Sequence, residues 1–231
     1  MNYLPLLTTV VALTFTVFLA RQYLQRRKIH QLLWTFAMLL YGFSASIEFL
    51  MNSDVVGANL LLFRAYYVMA APLVGLLGAG VVYLLVRGNV AKYFLAFVII
   101  LSIGLVITGL TAPLDESIIT RSFSGELGKA FQTASSAYPM SVRIFSIVLN
   151  SVGGTILLAG ALYSYIRDRR RTYNLPIALG ALLPMIGGSA MGFFGNSNIF
   201  FEFELGGTVF LFLGFIFSDR HIRKREEKTA L

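Results

Sequence analysis

Seven apolar runs, each of 18 residues or more and bounded by charges or turn-forming residues, constrain this chain more than any other feature. In a bilayer each backbone N–H and C=O must be satisfied within the protein. A helix of about 20 apolar residues meets that demand while crossing roughly 30 Å of hydrocarbon. The runs are 3–20, 31–51, 59–86, 93–112, 140–166, 175–194 and 199–218, so the expected fold is an all-α integral membrane protein, a seven-transmembrane-helix bundle. Composition agrees, because 57% of the residues are hydrophobic and 13% charged, too little charge to cover the surface of a soluble domain. Residues 1–218 read as one membrane domain and 219–231 as a short basic tail. Met1 to Pro5 carry no positive charge ahead of the first run, so no cleaved signal peptide is expected.

The net charge of +8 is distributed by loop parity. The segments Arg21 to Lys28, Arg87 to Lys92, Arg167 to Arg171 and Arg220 to Lys228 hold 15 of the 19 Lys and Arg residues, while Arg64, Arg121, Lys129 and Arg143 fall on the other side. Basic residues in short loops mark the cytoplasmic face. The N-terminus is therefore expected outside and the C-terminus in the cytoplasm of a multi-pass protein of the cell membrane. Basic loops alternating with membrane spans fit lipid headgroups and a cytoplasmic partner, and they argue against nucleic acid. Tyr3, Tyr23, Trp34, Tyr83, Tyr93, Tyr138, Tyr163 and Tyr173 lie near span ends, where amphipathic rings serve as interfacial anchors.

One connection is long. The outer loop 113–139 is polar and holds Asp115, Glu116, Arg121, Glu126 and Lys129. It reads either as a lid over the outer mouth or as a tether. Spans 1 to 3 and 5 to 7 echo one another, with Asn52-Ser53-Asp54 and Asn196-Ser197-Asn198 in corresponding turns, so a 3+1+3 arrangement with span 4 as linker is possible.

Several chemistries are excluded by the residues present. With no cysteine there are no disulfides or thiolate metal sites. The five lysines all lie in loops or the tail, so no retinal Schiff base is available, and the only histidines, His30 and His221, sit at span ends and make no intramembrane haem pair. No protease constellation and no phosphate-binding loop occurs. The chain is expected to be no enzyme and to carry neither cofactor nor metal.

Charges inside spans are costly and mark functional sites by default. Glu48, Arg64, Arg143, Glu202 and Glu204 all fall within about 8 Å of the outer span ends at 1.5 Å per residue. Together with Tyr66, Tyr67 and the deeper Tyr41 they suggest an outward-facing ligand cavity. Its expected ligand-binding residues are Glu48, Arg64, Tyr67, Tyr41, Arg143 and Glu202, with Arg64 paired to Glu48 or another outer acid. Asn150, Ser151 and Thr155 read as interhelical glue on span 5, and Pro72 and Pro184 as kinks or hinges. The inner halves of the spans read as almost wholly apolar, implying a cavity closed toward the cytoplasm.

The stretch from Trp34 to Glu48, the run Phe63-Arg64-Ala65-Tyr66-Tyr67, the Arg-rich turn 167–171 and Leu182-Leu183-Pro184 together resemble the seven-helix membrane sensor domain found at the N-terminus of bacterial histidine kinases. That resemblance implies signal reception by the bundle. Since 13 residues follow the last span, it further implies a stand-alone sensor or regulatory protein acting through a cytoplasmic or membrane partner. The alternatives from the residues alone are a small solute transporter and an accessory subunit of a membrane complex.

Overall fold

The computed structural model describes residues 2–53, 56–86, 88–123, 135–194 and 197–229. Among these the chain is all-helical, with α1 (Leu4–Arg26), α2 (Ile29–Asn52), α3 (Leu60–Leu85), α4 (Asn89–Thr111), α5 (Glu116–Phe123), α6 (Met140–Arg167), α7 (Asn174–Phe194) and α8 (Ser197–Thr229), plus one 3-10 turn at Ser135–Ala137. Six helices are long and apolar enough to cross a membrane, namely α1, α2, α3, α4, α6 and α8. The chain is a multi-pass helical membrane protein. In α7 the apolar stretch found is the shorter Asn174–Ala190.

Two boundaries differ most from the hydropathy reading. The first run ends at 20, yet α1 continues to Arg26, and the segment read as a tail continues α8 as far as Thr229. Hydropathy detects only the part of a helix that lies in hydrocarbon, whereas the backbone ladder runs on into the polar region until something ends it. At α1 that is Arg27, which adopts the left-handed conformation (φ 52°) and returns its N–H to the Tyr23 carbonyl at 2.7 Å. Gly88, at φ 89°, turns the chain from α3 into α4 in a conformation a side chain would strain. Asp54, Arg87, residues 124–134, Gly195 and Asn196 lie outside the described residues, and with them the middle of the outer loop and the comparison of the two Asn-Ser turns.

Helices α1, α2, α3, α6, α7 and α8 pack in that order as a closed ring, α8 returning to α1, while α4 rests outside it against α3 and α6. Burial reflects this, with 17% of the apolar window of α4 inside the protein against 56% for α3. The ring is held by small residues. A Cβ added to Gly78 on α3 would stand 2.8 Å from the Cα and carbonyl oxygen of Gly153 on α6, so the two backbones touch. On the α7–α8 seam, a Cβ on Gly207 would meet the Pro184 ring at 2.6 Å. Pro184 is thus wedged against α8 at the point where its missing N–H weakens α7.

The start of the outer loop is folded. Asp115 caps α5, its Oδ1 accepting the Ser117 N–H at 3.0 Å and the Ser117 hydroxyl at 2.6 Å. The Ser117 hydroxyl, then the Ile118 and Ser117 N–H groups, holds the Asp115 carboxyl below the usual carboxylate range. Ile119 and Phe123 turn inward and join the core of Phe63, Tyr67 and Tyr138. Of the aromatic residues assigned to the interface, Tyr3, Tyr93 and Tyr163 are exposed, but Trp34 and Tyr138 are buried in the protein. Each satisfies its polar atom there. The Trp34 indole N–H donates to the Leu77 carbonyl at 3.1 Å and the Tyr138 hydroxyl to the Gly109 carbonyl at 2.6 Å.

Candidate functional site

A cavity of about 680 Å³ opens within the ring, walled by α2, α3, α6, α7 and α8. On α2 the inward face is set by Tyr41, Ser44 and Glu48, spaced three and four apart so that they share one helix side. On α8 the inward face runs through Glu204, Gly207, Thr208 and Leu211, and all four are buried. Glu48 lies four residues from the α2 end, about 6 Å deep, and Glu204 seven residues into α8, about 10 Å deep. The two helices bring the carboxyls together. That of Glu48 reaches the Glu204 carboxyl and the Tyr66 hydroxyl, and that of Glu204 reaches the Tyr41 hydroxyl.

These groups are deeply buried, with Glu48 at 1%, Ser44 at 2% and Glu204 at 4% exposure. The Oε2 atom of each acid and the Ser44 hydroxyl have no hydrogen-bond partner. Among the described residues no ion pair involves either acid. Two carboxyls in contact in a low-dielectric interior repel when both are ionised. Both can be ionised together only with positive charge between them, and protonation of one removes the repulsion.

Four of the six expected ligand-binding residues line this cavity: Tyr41, Glu48, Tyr67 and Arg143. Tyr67 shares a 2.7 Å hydrogen bond with Ser146 of α6. The other two do not line it. Glu202 is exposed on α8, since it stands two residues, and so about half a helical turn, from Glu204. Arg64 does not pair with Glu48. Its Nη1 donates to the carbonyls of Gly109 (2.8 Å) and Leu110 (3.0 Å), and its Nη2 to that of Ala112 (2.9 Å).

Arg64 therefore caps α4, whose last carbonyls lack partners within the helix and attract a cation. Replacing Arg64 with Ala is expected to destabilise the protein by about 1.5–3 kcal/mol, the range for hydrogen bonds to a charged group. Lys should recover only part of this, because an ammonium cannot fork across three carbonyls. Thermal unfolding of the two variants checks this, and an Arg64→Ala protein as stable as its parent would contradict the capping role.

Glu204 and Tyr66, which the sequence placed near the outer cavity but not among its ligand-binding residues, complete the site, and Ser44 and Ser146 join it unforeseen. For Glu204 the signal was available: Gly207 and Gly214 continue its helix face, and small residues mark the side of α8 that meets α7. Asn150 and Ser151 of α6 line the cavity but are exposed, so neither is buried in a seam of this chain. Polar groups gather at or beyond the inner span ends, where the almost wholly apolar inner halves of the spans give out. A second cavity of about 380 Å³ lies at the basic end, lined in part by Arg26, Gln31, Asn174, Asp219 and His221. There Arg26 of α1 pairs with Asp219 of α8 at 3.2 Å. Leu157 lines both cavities, and Leu77 and Trp34 stand on either side of the partition. No family model, curated protein or solved structure matches the chain.

Proposed function

We propose that this protein is a receptor-like sensor of the cell membrane, a seven-helix bundle with its N-terminus outside and its C-terminus in the cytoplasm. It takes a small or amphipathic ligand into the cavity around Glu48 and Glu204 and acts through a cytoplasmic or membrane partner, as the likeness to histidine-kinase sensor domains implies. One observation carries the reading: Glu48 and Glu204, each with a buried carboxyl oxygen that lacks a hydrogen-bond partner, are among the residues lining a cavity large enough for a drug-sized molecule. Such groups destabilise a membrane protein unless a proton, an ion or a ligand completes them. The orientation rests on the placement of 15 of 19 Lys and Arg residues.

A transporter is the second reading, and the basic-end cavity favours it, because Leu157 is common to both volumes. Alternating access needs one site reached from each side in turn. Proteoliposomes holding only this protein separate the two. A sensor binds ligand without net uptake, whereas uptake lost on Glu48→Gln or Glu204→Gln would make the protein a transporter. Orientation is tested by single cysteines placed at positions 28, 90 and 170, which should resist an impermeant thiol reagent in intact cells while one at 56 reacts. The reverse pattern overturns the topology.

A further inference from the structure

We infer that the cavity is a site for an organic ammonium ion, its charge held between Glu48 and Glu204 and its apolar part lodged among the helices, entering from the bilayer between α6 and α7. This rests on the ligand-binding reading above and names the ligand class. The acids come from different helices, yet both line one cavity with Ser44, and each of the three has a buried side-chain oxygen without a hydrogen-bond partner. These are hydrogen-bond acceptors and a hydroxyl, suited to the N–H donors of an amine. The hydroxyls of Tyr41 and Tyr66 reach the same carboxyls and line the cavity with them. Arg143 is the basic residue of this lining, and it acts on Tyr67, away from the two acids.

A bare ion would leave most of this volume unfilled, since about 680 Å³ is the size of pocket that surrounds a drug-sized molecule. The route of entry follows from exposure. Ile147, Asn150 and Ser151 on α6 and Met185 and Ser189 on α7 line the cavity and are also exposed. Asn150 lies ten residues into α6, about 15 Å from its end and so near the middle of the hydrocarbon. Exposed amide and hydroxyl groups at that depth gain partners from an amphipathic molecule passing sideways into the bundle.

The test uses the full chain in nanodiscs with radiolabelled octylammonium, a lipophilic primary ammonium ion, against empty nanodiscs as blank. Binding is expected to saturate and to be competed by unlabelled octylammonium but not by octanol, octanoate or sodium chloride. Glu48→Gln and Glu204→Gln should each weaken it about tenfold or more. Glu202→Gln, two residues from Glu204 but exposed, should leave it unchanged. Thermal unfolding confirms that the variants are folded, and should show the Gln proteins no less stable than the parent. In the unaltered protein, dicyclohexylcarbodiimide, which labels carboxyls in apolar surroundings, should modify Glu48 or Glu204 more slowly when octylammonium is present.

Absence of saturable binding, equal binding by the Gln variants, competition by sodium at matched ionic strength, or carbodiimide labelling indifferent to the cation would each overturn the inference. If octanol or octanoate instead raises the unfolding temperature and Gly154→Phe, which fills the cavity, removes that effect, the cavity remains a ligand site and only the cationic class fails. If no probe of any charge responds to Gly154→Phe, the ligand-binding reading itself falls.

Discussion

Gly153→Leu is expected to prevent the bundle from assembling in its native packing. The hydrogen atom that serves as the Gly153 side chain faces the Val74 carbonyl across the α3–α6 contact, and an added Cβ would also stand 2.9 Å from the Cα of Gly75. All of these are backbone atoms, so no rotamer change can relieve the clash. The only escape is to push α3 and α6 apart. That movement breaks the contact of Gly78 with Gly153 and separates Tyr67 from Ser146, whose 2.7 Å bond spans the same pair of helices. Overpacking a core by a side chain costs about 1–3 kcal/mol when the neighbours can adjust, and here they cannot, so the loss should reach at least the upper end. Unfolding in detergent reads the effect. Gly206→Ala is the control, because its Cβ would meet only the Leu183 side chain, at an ordinary 3.5 Å. Equal stability of the two variants would contradict the account of α3–α6 packing.

Trp34→Ala should be nearly as damaging to stability and should also open a path through the protein. Trp34 is 6% exposed, stacks edge-on against Phe215 of α8 with centroids 4.6 Å apart, and bonds to the Leu77 carbonyl of α3. It therefore ties together three helices of the ring. Truncating a buried aromatic residue costs about 3–5 kcal/mol, from lost contacts and the void left behind. The void here lies at the partition, since Trp34 lines the basic-end cavity while Leu77 and Leu157 line the larger one. Liposomes containing Trp34→Ala are expected to leak small ions under an imposed potential, those with the parent protein to stay tight, and those with Trp34→Phe to leak little. A variant as tight as the parent would show that the aliphatic side chains of Leu77, Leu157 and Leu211 close the channel without the indole.

These expectations separate what each level of description supplies. The membrane character, the helices and most of their bounds were legible in the sequence, because a hydrocarbon solvent leaves the backbone few options and hydropathy along the chain records that constraint directly. Glu48 and Tyr41 were legible for the same reason, as a charge and a polar ring placed where either is costly without a purpose. What the sequence could not decide was the rotation of each helix about its own axis. Glu202 and Glu204 are equivalent to any window average, yet one is exposed and the other buried against Glu48. The difference is set by which face of α8 fits its glycines against α7. Arg64 illustrates the same limit. It shares a depth with Glu48, but the open carbonyls at the end of α4, brought beside α3 by the turn at Gly88, offered it three partners. The buried pair of acids exists only in three dimensions, because its members are 156 residues apart and nothing in the local sequence of either helix refers to the other. Close packing of small residues around the ring brings them face to face.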